Sequence, residues 1–158
     1  MMPRTLLVLA VLGLAGCGPS EDEVRAIARE EVARATTEHF TTGTVIGPYS
    51  PAVQAGRLLF VSGQIGIDPA TGQFRNESIE EETRQVLANV GAVLRQAGYD
   101  SSHVVNATVY LTDMGDYGRM NAVYGGFFPE GRYPARATVE VDDLPRDARV
   151  EIAVVAYK

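Results

Sequence analysis

The sequence predicts a small α/β domain of the α+β kind: a mixed β-sheet with two helices on one face. Three observations carry that reading. Apolar residues recur at helical spacing over 79–97, and they alternate with polar ones over 105–112, the period of a strand with one face buried. A shorter helical pattern and two strand-like runs, 135–141 and 149–157, complete the chain. The order strand, strand, helix, strand, helix, strand, strand puts both helices on the same side of one sheet. With 46% hydrophobic and 22% charged residues among 158, there is room for one such core.

Residues 1–16 have the layout of a secretory leader: one basic residue, an apolar run from Leu6 to Leu14, then small residues. The run is too short to span a bilayer stably. Leu14-Ala15-Gly16-Cys17 resembles the bacterial lipobox, in which the cysteine becomes the acylated first residue of the mature chain. An exported, lipid-anchored envelope protein is the expectation, and Gly18 after Cys17 favours the outer membrane where there is one. An ordinary cleaved leader or a misassigned start is the competing reading. Cys17 is the only cysteine, so no disulfide, thiol nucleophile or CxxC metal site can form within the chain. No metal and no cofactor are expected.

Loss of the leader removes Arg4 and leaves 13 basic residues against 20 acidic ones, a charge of −7. Such a surface disfavours phosphate backbones, so nucleic acid is not an expected partner, and the membrane is reached through the lipid alone. Residues 17–43 form an expected lipid-anchored helical stalk, its thin apolar stripe being Val24, Ile27, Ala28, Val32 and Ala35. The folded domain is expected over residues 44–158.

Within that domain, Leu58-Leu59-Phe60-Val61 is apolar on both faces, which predicts a central strand running to about Gln64. Asp68-Pro69-Ala70-Thr71-Gly72 has turn chemistry. The helix 79–97 buries Ile79, Thr83, Val86, Leu87, Val90, Leu94 and Ala97; Ser78 with Glu81 makes a capping box, and Gly98 stands where the helix stops. Glu80, Glu81 and Glu82 crowd its positive end. In the next strand Val105, Ala107, Val109 and Leu111 point inward. The second helix, 117–128, carries Tyr117, Met120, Tyr124, Phe127 and Phe128 on one face and glycines that weaken it in isolation. His39 falls in the stalk, far from any identifiable partner, and His103, at a strand start, is a surface residue in this reading.

The chemistry lies in the last two strands. Residues 133–141, YPARATVEV, put Arg136, Thr138 and Glu140 on one face and Ala135, Ala137, Val139 and Val141 on the other. A guanidinium cannot shed its charge and presents a planar fork of donors, so a half-buried one requires a carboxylate or phosphate. Either the chain supplies that acid, from Glu140 or Glu151, or a ligand does. Glu151 sits in an otherwise apolar strand, where partial burial would raise its pKa and suit it to acid/base work or to orienting water; a solvent-facing glutamate is the alternative. No GxGxxG, P-loop, GxSxG or HExxH motif is present.

Four blocks, residues 46–56 (IGPYSPAVQAG), 60–72 (FVSGQIGIDPATG), 106–128 and 134–157, resemble the reactive intermediate deaminase family, its YjgF-like or RidA branch. The resemblance implies a chorismate-mutase-like fold assembled as a homotrimer, with clefts between neighbouring subunits. It also implies hydrolysis of small enamine and imine acids, such as 2-aminoacrylate and 2-iminopropionate, to 2-keto acids and ammonia. Carried over residue by residue, Arg136 grips the substrate carboxylate and Glu151 orients the attacking water. Tyr49, Gly63 and Asn121 match further pocket residues, and Thr138 stands where some members have cysteine. A non-catalytic trimeric module that binds small carboxylates at the envelope is the alternative function; a ribonuclease fits the acidic charge poorly.

Overall fold

The computed structural model describes residues 18–41 and 47–158. The leader, Cys17 and the expected boundary at residue 44 lie outside them. Two compact units divide the chain near Val32. In the first, α1 (Glu21–Ala35) is a charged helix that leaves Val24, Ile27 and Val32 exposed, as a solvated spacer would. Among the described residues no helix is long and apolar enough to cross a membrane.

The second unit is one six-stranded sheet with spatial order β1-β2-β3-β6-β4-β5. Its strands are β1 (Thr37–Phe40), β2 (Ala52–Ala55), β3 (Leu58–Gln64), β4 (Val104–Leu111), β5 (Ala135–Glu140) and β6 (Val150–Tyr157). Every neighbouring pair is antiparallel except β4 and β5, which run parallel, so the sheet is mixed as predicted. The helices α2 (Ile79–Gln96) and α3 (Tyr117–Gly125) pack against each other, and α2 lies on β3 and β6. Their apolar faces meet Leu59, Val61, Ala107, Val109, Leu111, Val150, Ile152 and Val154 in a single core. Among the described residues of this unit, neither α2 nor α3 covers the other face of the sheet.

Helix α2 forms as its periodicity dictates. Ser78 Oγ accepts from the Glu81 amide at 3.2 Å, and Gly98, with φ of 76°, supplies the left-handed residue that ends the helix. Helix α3 stops at Gly125 rather than at residue 128, because two successive glycines cannot sustain it; Phe128 still reaches the core.

Three expectations change. Thr37–Phe40 is a strand paired with β2 rather than the end of a helical stalk, so the sheet gains a member ahead of residue 44 and has one strand more than expected. The segment is only four residues long, too short for its alternation to register in the sequence. Val105 is 46% exposed, because the register of β4 against β6 shifts between Val104 and Asn106 and Val104 takes the inward position. Leu58 and Phe60 of β3, apolar though they are, lie on the helix-free face and stay exposed.

Glu82 is fully buried. Its Oε1 accepts from the backbone amides of Arg149 at 2.7 Å and Val150 at 3.3 Å, and its Oε2 accepts from Arg149 Nε at 3.0 Å. A Cβ on Gly66 would lie 2.8 Å from Glu82 Cγ, so the chain after β3 can pass only as glycine. A second pair joins the helices: Arg119 donates to both carboxylate oxygens of Glu80, at 2.8 and 2.7 Å, and holds that carboxyl down at a pKa of about 2. Because Glu82 is fully buried and Glu80 only half-buried, the Glu82–Arg149 pair is the costly one to break. Glu82→Ala is expected to destabilise the protein by about 3 to 5 kcal/mol, and Glu80→Ala by much less, in urea unfolding at fixed protein concentration.

Candidate functional site

Arg136 lies on edge strand β5, in register with buried Ala107 of β4, and therefore points to the helix side of the sheet. There α3 receives it. Arg136 Nη1 donates to Asn121 Oδ1 at 2.7 Å and Nη2 to the Tyr117 hydroxyl at 2.9 Å. The guanidinium carbon lies 4.6 Å from the centre of the Tyr124 ring and 5.6 Å from that of Tyr117. Tyr117, Asn121 and Tyr124 are four and three residues apart, so one face of α3 provides every contact.

Both groups that hold the guanidinium by hydrogen bonds are neutral. Glu140 is occupied elsewhere, accepting from the Met114 amide at 3.0 Å, and among the described residues no carboxylate pairs with Arg136. The reading in which Glu140 or Glu151 neutralises Arg136 is thereby overturned. Thr138, two residues along on the same face, has a buried Oγ1 with no hydrogen-bond partner, and so does the Tyr124 hydroxyl. Burial raises the Tyr124 pKa, with the Arg136 charge acting against it.

Glu151 belongs to the opposite face. It is in register with Tyr110 of β4, one position out of phase with the buried Val150 and Ile152. Its side chain lies over Gly63, where the register of β3 against β6 shifts. A Cβ on Gly63 would come within 1.8 Å of Glu151 Oε1, so this residue must be glycine for the carboxylate to lie where it does. Burial raises the pKa of Glu151 above the ordinary 4.5, and no charged partner counters it. Glu151, Gly63 and Tyr49 line a cavity of about 270 Å³ together with Ser62, Ile65 and Pro145. Pro145 opens a strained turn in which Arg146 and Asp147 both have positive φ, 62° and 58°. A larger groove beside α2, about 520 Å³, is lined by Arg75, Glu81 and Arg84 among others. Its charges are already satisfied, Arg75 by Asp68 and Arg84 by Glu81, so it offers no free group to a ligand.

The six expected pocket residues thus form two groups. Tyr49, Gly63 and Glu151 meet at the cavity on the open face; Arg136, Asn121 and Thr138 meet under α3. Within one chain the structure does not bring the groups together. Tyr117 and Tyr124, which the sequence places on one helix face with Met120, Phe127 and Phe128, touch Arg136; their helical spacing from Asn121 is the signal that could have found them. His39 and His103 are at neither group: His39 Nδ1 is 3.0 Å from Ser50 Oγ, and His103 closes a turn with Asp100.

A mixed α+β sheet with a guanidinium clear of any carboxylate and a half-buried glutamate beside a small cavity has the layout of a small-molecule site. The chain belongs to the family described as Endoribonuclease L-PSP, which matches residues 40–158. A RutC family protein of Pyrococcus horikoshii is 51% identical over 113 residues, covering 72% of this chain and 89% of its own. The mouse protein named 2-iminobutanoate/2-iminopropanoate deaminase is 48% identical over 113 residues, covering 72% and 83%. Among solved structures, E. coli TdcF with bound serine superposes with a TM-score of 0.72 at 35% identity, covering 77% of this chain and 98% of that one. The resemblance read from the four sequence blocks, and the fold it implied, therefore hold.

Substituting Gly63 separates the Glu151 environment from the fold. Gly63→Ala is expected to push the carboxylate towards solvent and bring its pKa down towards 4.5, with the melting temperature little changed. Carboxyl-carbon NMR titration of Glu151 in the two proteins reads the shift directly.

Proposed function

We propose that the protein hydrolyses small reactive imine and enamine carboxylic acids, of the 2-iminopropionate and 2-aminoacrylate type, to 2-keto acids and ammonia. The observation that carries this is Arg136: its guanidinium is held in place by neutral groups and pairs with no acid among the described residues. Names among the relatives, which include 2-iminobutanoate/2-iminopropanoate deaminase, support the same chemistry. So does the serine in TdcF, a small amino acid.

In this mechanism the substrate carboxylate takes the free donors of Arg136 through charge-assisted hydrogen bonds. Glu151 holds a water beside the C=N carbon and accepts its proton as oxygen adds there. The resulting tetrahedral aminoalcohol collapses: the C–N bond breaks, the proton returns to nitrogen, and ammonia leaves behind a carbonyl. One water is consumed for each ammonia released. A raised pKa keeps Glu151 close to the pH at which it can both take and return a proton.

Arg136 and Glu151 lie on opposite faces of one sheet, so the site is proposed to form between neighbouring copies in a homotrimer. The open face supports this, being apolar and uncovered: Phe60 is 45% exposed, Tyr157 45% and Val139 44%. Lipid anchorage through Cys17 in the cell envelope, on the periplasmic side and at the outer membrane where there is one, is proposed on the sequence alone. Nuclease action, which the family description names, is disfavoured by the −7 charge and by histidines engaged away from both groups.

An amino acid oxidase generates 2-iminopropionate in situ, and its decay tests the reading. Wild-type protein is expected to speed the loss and Arg136→Ala to leave it near background. Arg136→Ala and Glu151→Gln refolded together are expected to recover about a quarter of wild-type activity, the share of interfaces that draw an intact arginine and an intact glutamate from different copies. Carboxylate binding without turnover would leave the non-catalytic module in its place. Labelled palmitate is expected on the wild-type chain and not on Cys17→Ser, measured in intact cells.

A further inference from the structure

We infer that Tyr117 is a positioning residue, whose hydroxyl fixes the plane of the Arg136 guanidinium so that its remaining donors form a ready carboxylate fork. This deepens the reading of the Arg136 site above and rests on it. A guanidinium has five N–H donors. Asn121 takes one from Nη1 and Tyr117 one from Nη2, which leaves Nε–H and one hydrogen on each Nη for a ligand.

Two anchors do what one cannot. With Asn121 alone, the group would pivot about its last side-chain bonds and present its free hydrogens in many directions. The second anchor, one helical turn away at Tyr117, fixes the rotation, and the Tyr124 ring, 4.6 Å from the guanidinium carbon, covers the group. A planar ligand such as a carboxylate gains most from this, since its two oxygens need two parallel hydrogens at once. Ordering the arginine in advance removes that cost from binding. Tyr117 is 38% exposed, so burial does not account for where its hydroxyl points. That hydroxyl accepts from Arg136 and keeps its own proton.

The test uses the purified full chain and Tyr117→Phe, which retains the ring and removes only the oxygen. The variant is expected to raise KM for 2-iminopropionate about tenfold with kcat within about twofold, and to weaken binding of pyruvate, the keto-acid product, by a similar factor. Nitrogen-15 NMR of Arg136 is expected to give slow rotation about the Cζ–Nη bonds in the wild type and rotation several-fold faster in the variant. Tyr133→Phe, which alters an exposed hydroxyl outside both groups, should change none of these. Unaltered guanidinium rotation, or an unaltered pyruvate affinity in Tyr117→Phe, overturns the assignment. Should the wild type neither turn over the imine nor bind pyruvate, the proposed function fails, and the NMR comparison still decides whether Tyr117 holds Arg136.

Discussion

A carboxylate with no solvent exposure has to be given hydrogen-bond donors by the protein, and Glu82 receives three, from Arg149 and Val150. They lie at the first residue of β6 and the residue before it, so a side chain of α2 sets where that strand begins. The next residue along is Glu151. Its height on the open face is therefore fixed from the other side of the sheet, through the backbone. The same buried acid constrains the chain after β3, which passes Glu82 as Gly66 and returns through Asn89, whose amide donates to Ile65 O at 3.0 Å and Ile67 O at 2.8 Å. Ile65 and Gly63 line the cavity. Its walls and its glutamate thus depend on one helix face.

The period of two in a strand explains why the polar residues separate as they do. On β5 the side carrying Arg136 and Thr138 faces α3, and the side carrying Ala137 and Val139 faces outward. The usual arrangement, apolar inward and polar outward, is reversed. A reversal of this kind is stable when each side finds a partner of its own character. Asn121, Tyr117 and Tyr124 serve the polar side within the chain, whereas the apolar side is left with Phe60, Val155 and Ala153 on a helix-free surface.

Much of this was legible in the sequence. Helix α2 was, because six apolar positions and Thr83 recur along one face and Ser78 and Gly98 mark its ends. The facing of Arg136 with Thr138 was, because alternation in a strand admits no other arrangement. Glu82 was not: among Glu80, Glu81 and Glu82 nothing local distinguishes the fully buried acid from the other two, and its partners lie 67 and 68 residues away. Neither was the exposure of Val105, since a register shift is a property of two strands and no single strand encodes it. The family blocks named Arg136, Glu151, Tyr49, Gly63, Asn121 and Thr138 together, but a linear motif has no faces, so their division between the two sides of the sheet waited for the fold.

That division bears on how the site would work. Each half is organised within one chain: the guanidinium by two hydrogen bonds and a ring, the glutamate by a glycine that leaves no other room and by burial that raises its pKa. Neither needs the other in order to adopt its geometry. If two copies supply one half each, association joins finished parts, and the apolar open face rather than the polar groups provides the driving force. A guanidinium and a carboxylate that met inside one chain would neutralise each other and leave the substrate nothing to displace cheaply. Holding them on opposite faces of a rigid sheet would keep both charges available to a small acid and a water in such a site.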